Sequence, residues 1–182
     1  NVIQNPPQES VSQLVNLYNQ GQMEAVIEQA EALTAQYPGA YIIWNMLGAS
    51  RAQTGMLDEA VEALNNSISL KPDYADAYYN KGYALYYLDK LDKAIEAYSK
   101  SISLKPDYAE AYSNLGVTLQ ELGRLEEAEA SYNQAIALKP NYVDAHYNLG
   151  VTLQELGRLE EAEASYNSAI ALKPEFTQAF TN

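Results

Sequence analysis

Four asparagines recur in the chain at a constant interval, namely Asn80, Asn114, Asn148 and Asn182. A side-chain amide both donates and accepts hydrogen bonds, so a row of amides can pair with the backbone of an extended peptide without reading its side chains. Amides in such a row can equally bond to neighbouring helices or satisfy their own helix locally. The sequence therefore leaves two interpretations of the row open, a peptide-binding ladder and a structural role.

Tyrosine is the second residue type with a suggestive arrangement, since the chain has 16 Tyr but only two Phe and one Trp. Tyr79, Tyr83, Tyr86 and Tyr87 follow the spacing i, i+4, i+7, i+8, which places them on one face of a helix. Exposed aromatic residues are frequent anchors of protein interfaces. Packing between helices is the alternative, above all for Tyr86 and Tyr87, and we expect at least Tyr79 and Tyr83 to face a ligand.

Acidic residues extend the surface on which the asparagines and tyrosines lie. Asp76, Glu110 and Asp144 recur at the same interval as the asparagines, and Tyr147 repeats the position of Tyr79. Among basic residues only Lys81 is close to this surface. We therefore expect the surface to favour neutral or basic protein segments, because complementary charge steers association more than it adds affinity.

No catalytic residue, metal site or cofactor site is predicted. The only histidine, His146, stands at the bulky position that Trp44 and Tyr78 occupy elsewhere, which indicates packing. The glutamates within residues 126–129 and 160–163 are typical of a solvated helix face, and a metal would need converging ligands. Cysteine is absent, and no phosphate-binding loop or nucleophile motif occurs.

The net charge of −13 and the pI near 4.3 argue against nucleic acid and anionic membranes as partners. No apolar run approaches the roughly 18 residues of a membrane-spanning helix. A cytoplasmic location is the expectation. The chain starts at Asn1 and not at Met, so an original N-terminus and any removed signal would not be visible.

The elements that position these residues repeat with the same period. Residues 109–142 are followed at once by a near copy, residues 143–176, that differs at only seven places. A fixed period of this size indicates stacked supersecondary units. Each unit contains one helix, a turn and a second helix that ends at Lys-Pro, because proline cannot continue a helix. The predicted divisions are a leader (1–6), a divergent capping unit (7–40), four units (41–74, 75–108, 109–142 and 143–176), and the start of a truncated helix (177–182).

Small residues inside the helices predict a close crossing within each unit. Gly48 and Gly82 are placed in mid-helix, where glycine costs about 1 kcal/mol relative to alanine. Such a cost is offset where another helix approaches closely, and Ala60 and Ala94 are the expected counterparts on the second helix. Asp89 replaces the usual turn glycine, and aspartate tolerates the left-handed conformation better than most residues.

These positions resemble the tetratricopeptide repeat, whose pattern W-x2-L-G-x2-Y, A-x3-F and P recurs with the same period. The matching residues are Trp44, Leu47, Gly48, Ala60, Pro72; Tyr78, Gly82, Ala94, Tyr98, Pro106; Tyr112, Leu115, Gly116, Ala128, Tyr132, Pro140; and His146, Leu149, Gly150, Ala162, Tyr166, Pro174. Departures include Lys81 at the usual leucine, and Arg51 and Leu85 at the usual tyrosine. The resemblance covers about residues 7–176.

The resemblance implies an all-α, right-handed superhelical solenoid of about five helix-turn-helix units, the first divergent. It also implies a concave groove, lined by the first helices, that commonly binds peptides, and it implies no catalysis. The array is similar to those of bacterial multi-repeat proteins and of O-linked N-acetylglucosamine transferases, whose asparagine ladder the row at 80, 114, 148 and 182 resembles. Chaperone-binding members hold a carboxylate with Lys and Arg, and the acidic residues here make such a clamp unexpected.

Two functions therefore remain open at the level of sequence. The first is a non-catalytic scaffold that binds an extended protein or peptide segment in the groove. The second is the recognition arm of a larger enzyme, such as a protein- or glycan-modifying transferase, with its catalytic domain beyond Asn182. An engineered array is a third interpretation, against which the irregular first three units argue. Residues 175–182 begin a helix without a capping partner, which predicts either a longer parent chain or self-association through this end.

Overall fold

The computed structural model describes residues 5–173, which form ten α-helices separated by short turns. In chain order these are α1 (Gln8–Asn19), α2 (Met23–Gln36), α3 (Tyr41–Gln53), α4 (Leu57–Leu70), α5 (Ala75–Tyr87), α6 (Leu91–Leu104), α7 (Ala109–Glu121), α8 (Leu125–Leu138), α9 (Val143–Glu155) and α10 (Leu159–Leu172). Residues 5–173 contain no strand, and the all-α helix-turn-helix class predicted from the sequence is confirmed. The predictions made for residues 177–182, including Asn182, lie outside the described residues.

The turn between the helices of one unit passes through the left-handed conformation. Gly55 has φ +84° and Asp89 has φ +57°, so the aspartate adopts the conformation predicted for it. The Asp89 and Lys90 amides donate to the carbonyls of Tyr86 and Leu85, both at 2.9 Å. These bonds satisfy carbonyls that the end of a helix would leave without partners.

The helices form two compact units, one ending at Leu104 and the other beginning at Lys105. In the first unit each of the helices α1 to α6 packs on the next one, and α3 also contacts α5. In the second unit α7 to α10 pack in the same successive way, and α7 contacts α9. Alternate helices that touch in this way are the first helices of their repeats. The first unit therefore presents a surface built from α1, α3 and α5, because α1 also contacts α3, and the second unit presents one built from α7 and α9.

Glycines in the first helices leave room for a large side chain on the second helix of the same repeat. A Cβ atom at Gly82 would lie 2.7 Å from the ring of Tyr98, and one at Gly48 would lie 2.5 Å from Cγ of Leu64. The atoms nearest to Gly82 are therefore those of the Tyr98 ring, whereas the sequence expectation named an alanine as the counterpart. For Gly48, the carbonyl oxygen of Ala60 lies 3.1 Å from the added Cβ atom, slightly farther away than the nearest atoms of Leu64.

The first repeat inverts this pairing of small with large. Leu14 stands where the other first helices carry glycine, and Ala30 stands where their partners carry leucine or tyrosine. Both residues are fully buried in one hydrophobic cluster with Val26 and Ile43. The divergent repeat thus keeps a small residue opposite a large one with the two helices exchanged.

Buried serines fix the start of a first helix against the end of its partner. The Ser67 hydroxyl donates to the Tyr41 carbonyl at 2.8 Å, and the Ser101 hydroxyl donates to the Ala75 carbonyl at 2.9 Å. Both serines are completely buried. These bonds hold α3 and α5 in place as platforms for the candidate site residues.

Candidate functional site

The tyrosine cluster, defined as Tyr79, Tyr83, Tyr86 and Tyr87 of α5, is a set of half-buried and exposed rings. The Tyr83 and Tyr87 ring centroids are 4.7 Å apart, and the Tyr86 and Tyr87 rings meet edge to face at 5.2 Å. Tyr79 instead packs against Tyr98 of α6, with a centroid distance of 6.0 Å. Tyr87 is 58% exposed, whereas the other three members are half-buried. Tyr87 is therefore the most accessible ring of the cluster.

Tyr83 sits between this ring surface and the protein interior. It packs against a buried cluster that contains Ala52 and Ala84. Burial raises the pKa of Tyr83 to about 12, and a hydrogen bond with Tyr87 adds to the shift. Beside it in the same unit, Gln53 donates a hydrogen bond to the Tyr18 hydroxyl at 2.6 Å. Tyr83 thus combines a packing role with partial exposure.

The asparagine row is not uniform, because Asn80 is bonded to a second asparagine. Nδ2 of Asn80 donates to Oδ1 of Asn45 at 3.0 Å, and Asn45 is only 7% exposed. Asn45 directly precedes Met46, and Met46 occupies in the preceding repeat the position that Asn80 occupies in its own. This hydrogen bond agrees with the structural interpretation of the row. Asn80 nevertheless retains its own Oδ1 and a second N–H for other hydrogen bonds.

Asn148 has a different environment, which we call the amide pocket. This cavity of about 310 Å³ in the second unit is lined by Val117, Gln120, Glu121, Tyr132, Asn148 and Glu155. Within residues 5–173 the side-chain amide of Asn148 has no hydrogen-bond partner, and the residue is half-buried. Asn114 is also half-buried, and its carbonyl accepts a bond of 2.8 Å from the Thr118 hydroxyl.

Gln120 organises the wall of the amide pocket. Its Nε2 donates to Oε1 of Glu155 at 2.9 Å, and its Oε1 accepts from the hydroxyls of Tyr132 at 3.2 Å and Thr152 at 3.1 Å. This network was not predicted from the sequence. Its signal in the sequence is a glutamine in the last turn of a first helix, followed by a tyrosine in the second helix of the same repeat. The same arrangement recurs where the Tyr166 hydroxyl donates to Gln154 at 3.0 Å.

The acidic candidates differ in how strongly they are engaged. Glu110 forms an ion pair of 3.1 Å with Lys139. Burial alone would raise the pKa of Glu110, but a backbone hydrogen bond and Lys139 together lower it. Asp76 is half-buried, whereas Asp144 is exposed. Burial, assisted by the charge of Asp76, raises the pKa of Tyr74 to about 12.

Tyr147 repeats the packing of Tyr79. Its ring lies 5.6 Å from the ring of Tyr166, and the residue is half-buried. Each of the two tyrosines therefore packs against a tyrosine on the second helix of its own repeat. Their packing matches the alternative that the sequence left open for the tyrosine cluster.

His146 forms a local hydrogen bond. Its Nε2 lies 2.9 Å from the Pro140 carbonyl oxygen, as Nε1 of Trp44 lies 2.9 Å from that of Pro38. The histidine thus reproduces a contact of the tryptophan whose position it takes. Among residues 5–173 no group of three or more His, Asp or Glu could hold a metal ion. Within the same residues, no helix has the length and apolar character needed to cross a bilayer.

Helix hairpins that repeat with a fixed period, with glycine at their crossings, define a helical repeat protein. Family models of the TPR repeat match residues 48–89, 82–123 and 118–157, and a model of the tetratricopeptide repeat matches residues 143–176. These matches cover more than half of the chain. The chain belongs to the tetratricopeptide-repeat family, as its motif residues predicted.

Curated relatives include peroxisomal targeting signal receptors of two yeasts. The receptor of Candida albicans is 35% identical over 68 residues, which are 37% of this chain and 12% of the receptor. The receptor of Saccharomyces cerevisiae is 32% identical over 63 residues, which are 35% of this chain and 10% of the receptor. The matched part thus spans only about a tenth of the length of these relatives.

Solved structures of similar fold include MamA and YrrB. A crystal structure of MamA has a TM-score of 0.79 at 24% identity, covering 90% of this chain and 95% of that chain. MamA from Desulfovibrio magneticus RS-1 has a TM-score of 0.82 at 18% identity, with 96% and 98% covered. YrrB, described as a TPR protein with an unusual peptide-binding site, has a TM-score of 0.73 at 21% identity, with 93% and 87% covered. These likenesses show a shared fold.

Proposed function

We propose that the chain is a non-catalytic interaction scaffold that binds an extended protein or peptide segment along the faces of its first helices. The observation that carries this proposal is the amide pocket, where the half-buried Asn148 amide has no partner among residues 5–173. A partly buried amide without a partner gains free energy when a ligand satisfies it. A peptide backbone offers both the donor and the acceptor that such an amide can use.

The charge of this pocket favours a neutral or basic segment. Glu121 and Glu155 stand beside Asn148 in its lining. Two carboxylates near one site attract a Lys or Arg side chain and repel an acidic one. The exposed Tyr87 in the first unit supplies an aromatic contact of the kind that anchors protein interfaces.

Two of the proteins named above support the proposal by their descriptions. YrrB is described as having a peptide-binding site, and the yeast receptors are named for a targeting signal. Because the matched part is about a tenth of those receptors, an interaction arm within a longer protein is a second candidate. In that case the same faces would bind, and the activity of the whole would lie elsewhere. A protein- or glycan-modifying enzyme is one form that such a parent could take.

A random library of labelled decapeptides provides the probe for this proposal. The tightest neutral or basic binder is measured by fluorescence anisotropy against the unaltered chain and against N148A. Because one hydrogen bond is removed, we expect N148A to weaken binding about fivefold to tenfold without lowering the thermal midpoint. N133A is the matched control, since Asn133 is an exposed asparagine on the second helix α8.

N80A is expected to act differently from N148A. Removing Asn80 leaves the buried Asn45 amide without its partner, which costs about 1–2 kcal/mol of unfolding free energy.

Two results would contradict the proposed function. One is a library without any neutral or basic binder, and the other is equal affinity of the selected peptide for N148A and the unaltered chain.

A further inference from the structure

A second groove lies in the first unit, between α4 and α6 and over α5. This cavity of about 460 Å³ is lined by four lysines, Lys81, Lys90, Lys93 and Lys100, and we call it the lysine groove. The whole chain has only 11 basic residues against 24 acidic ones. About a third of the positive charge thus gathers at one place on an acidic protein.

The lysine groove lies on the side of α5 away from the exposed tyrosine ring. Tyr78, Lys81 and Leu85 of α5 line it. Asn80 and Tyr87 project from the opposite side of the same helix, because residues two apart on a helix are turned by about 200°. The lysine groove is therefore distinct from the surface invoked in the proposed function.

The equivalent groove one repeat earlier provides an internal comparison. That cavity of about 350 Å³ includes Leu47 where the lysine groove has Lys81, and Asn66 where it has Lys100. Its only basic residue, Arg51, is neutralised by an ion pair of 2.7 Å with Glu31. The positive charge is thus a property of the third repeat and not of the fold.

Three of the four lysines have no counter-charge in contact with them within the part of the chain that the structure describes. Among residues 5–173, Lys81, Lys93 and Lys100 form no ion pair, whereas Lys90 lies 3.6 Å from Asp58. Lys81 is half-buried, and burial lowers its pKa, with Lys93 adding to the shift and Glu96 opposing it. A single carboxylate, Glu96, lines the groove with them.

We propose that the lysine groove binds a short acidic segment of a partner protein. Carboxylates of that segment would form charge-assisted hydrogen bonds with Lys93 and Lys100, which are stronger than bonds between neutral groups. The half-buried Val61 adds apolar contact area to the groove, over the nearly buried Leu85 and Ala97, which suits a peptide with an apolar side chain among its acidic residues.

A nucleic acid fits this groove less well than a peptide does. Nucleic-acid affinity comes largely from many successive phosphate contacts along an extended basic surface. The basic surface here is confined to one groove, while the chain as a whole carries a charge of −13. A polyanion longer than the groove would meet repulsion on leaving it.

The test uses a labelled octapeptide of alternating Glu and Leu, with its Gln–Leu counterpart as the neutral probe. We expect the acidic peptide to bind the unaltered chain, and K93Q/K100Q to weaken binding about tenfold, because Lys93 and Lys100 are exposed and an exposed ion pair changes affinity by about threefold. K105Q/K173Q removes the same charge at two exposed lysines outside the groove and should change affinity less than about twofold.

The K81L variant tests the groove with a substitution that the fold is expected to accommodate. Leucine occupies the equivalent position in three other repeats, at Leu47, Leu115 and Leu149, so the substitution suits the fold. It should weaken the acidic peptide while the circular dichroism spectrum and thermal midpoint are retained.

Several results would overturn the proposal. These are equal losses for K93Q/K100Q and K105Q/K173Q, equal affinity for the acidic and neutral peptides, or no binding of the acidic peptide. A single-stranded oligonucleotide that binds more tightly than the peptide would also overturn it. N148A should leave the acidic peptide's affinity unchanged, so failure here and failure of the proposed function are separable.

Discussion

At the scale of single residues, the partner of a polar side chain decides what it can offer a ligand. Asn80 and Asn148 occupy equivalent places in their repeats, yet Asn80 is bonded to Asn45 while Asn148 lines a cavity. The difference arises outside the repeat motif, because Asn45 lies one position before Met46, the residue equivalent to Asn80. A periodic motif therefore does not imply a periodic function.

Tyr83 allows a test of the environment around the exposed tyrosine ring. Its pKa of about 12 compares with about 10 for an unperturbed tyrosine. Burial favours the neutral phenol in the folded state, so its contribution to stability is fully present below about pH 10 and is lost as pH rises towards 12. We expect Y83F to reduce the tyrosinate absorbance change near pH 12, to which Tyr74 also contributes, by the share of one tyrosine, measured by stopped-flow pH jump before unfolding occurs.

The urea-unfolded protein is the control for this titration. There the difference between Y83F and the unaltered chain should titrate near pH 10, because the unfolded tyrosine is exposed to solvent. If the difference between the unaltered chain and Y83F titrated near pH 10 in the folded protein as well, Tyr83 would not be shielded by Tyr87 and the interior.

At the scale of helices, each hairpin depends on a small residue opposite a large one. Gly82 faces the Tyr98 ring, whereas the first repeat places Leu14 and Ala30 at the equivalent positions. Leucine with alanine has about the same total volume as glycine with tyrosine. Cores tolerate exchanges that conserve total volume far better than unpaired changes.

Exchanging the pair in the third repeat tests this interpretation. G82L alone should destabilise the protein by about 2 kcal/mol or more, because its side chain would overlap the Tyr98 ring. G82L/Y98A should recover at least about 1 kcal/mol of that loss in urea unfolding, since contacting sites couple. Y98A alone completes the double-mutant cycle, and a double variant whose loss is the sum of the two single losses would contradict the paired arrangement.

Local signals explain why the hairpins could be predicted from sequence, and non-local contacts explain what could not. The Lys-Pro ends, the turn residues and Asp89 act within a few positions, so helices and turns followed directly from them. The lysine groove could not be predicted from the sequence, because Lys81, Lys93 and Lys100 come from two helices and form no run in the sequence. The Gln120 network likewise joins α7 to α8 and α9, through Tyr132 and Thr152, which are distant from it in the chain.

At the scale of the whole molecule, negative charges outnumber positive ones by about two to one. The chain carries 24 acidic and 11 basic residues, and several of its ion pairs are exposed, such as Arg124 with Glu127 and Arg158 with Glu161. Exposed ion pairs add little stability and are weakened by salt. Repulsion among excess carboxylates destabilises the compact state, and salt screens that repulsion too. The two effects of salt oppose each other, and the excess of 13 negative charges favours the second.

We therefore expect added NaCl to stabilise the protein. Raising the salt from about 20 mM to about 300 mM shortens the Debye length from roughly 20 Å to below about 8 Å, so distant carboxylates no longer repel each other. The thermal midpoint, followed by circular dichroism, should rise by a few degrees. E28Q/E163Q removes two exposed carboxylates and should raise the low-salt midpoint while reducing its salt dependence. K105Q/K173Q should do the opposite, and a midpoint that falls with salt in the unaltered chain would mean that its ion pairs outweigh its net charge.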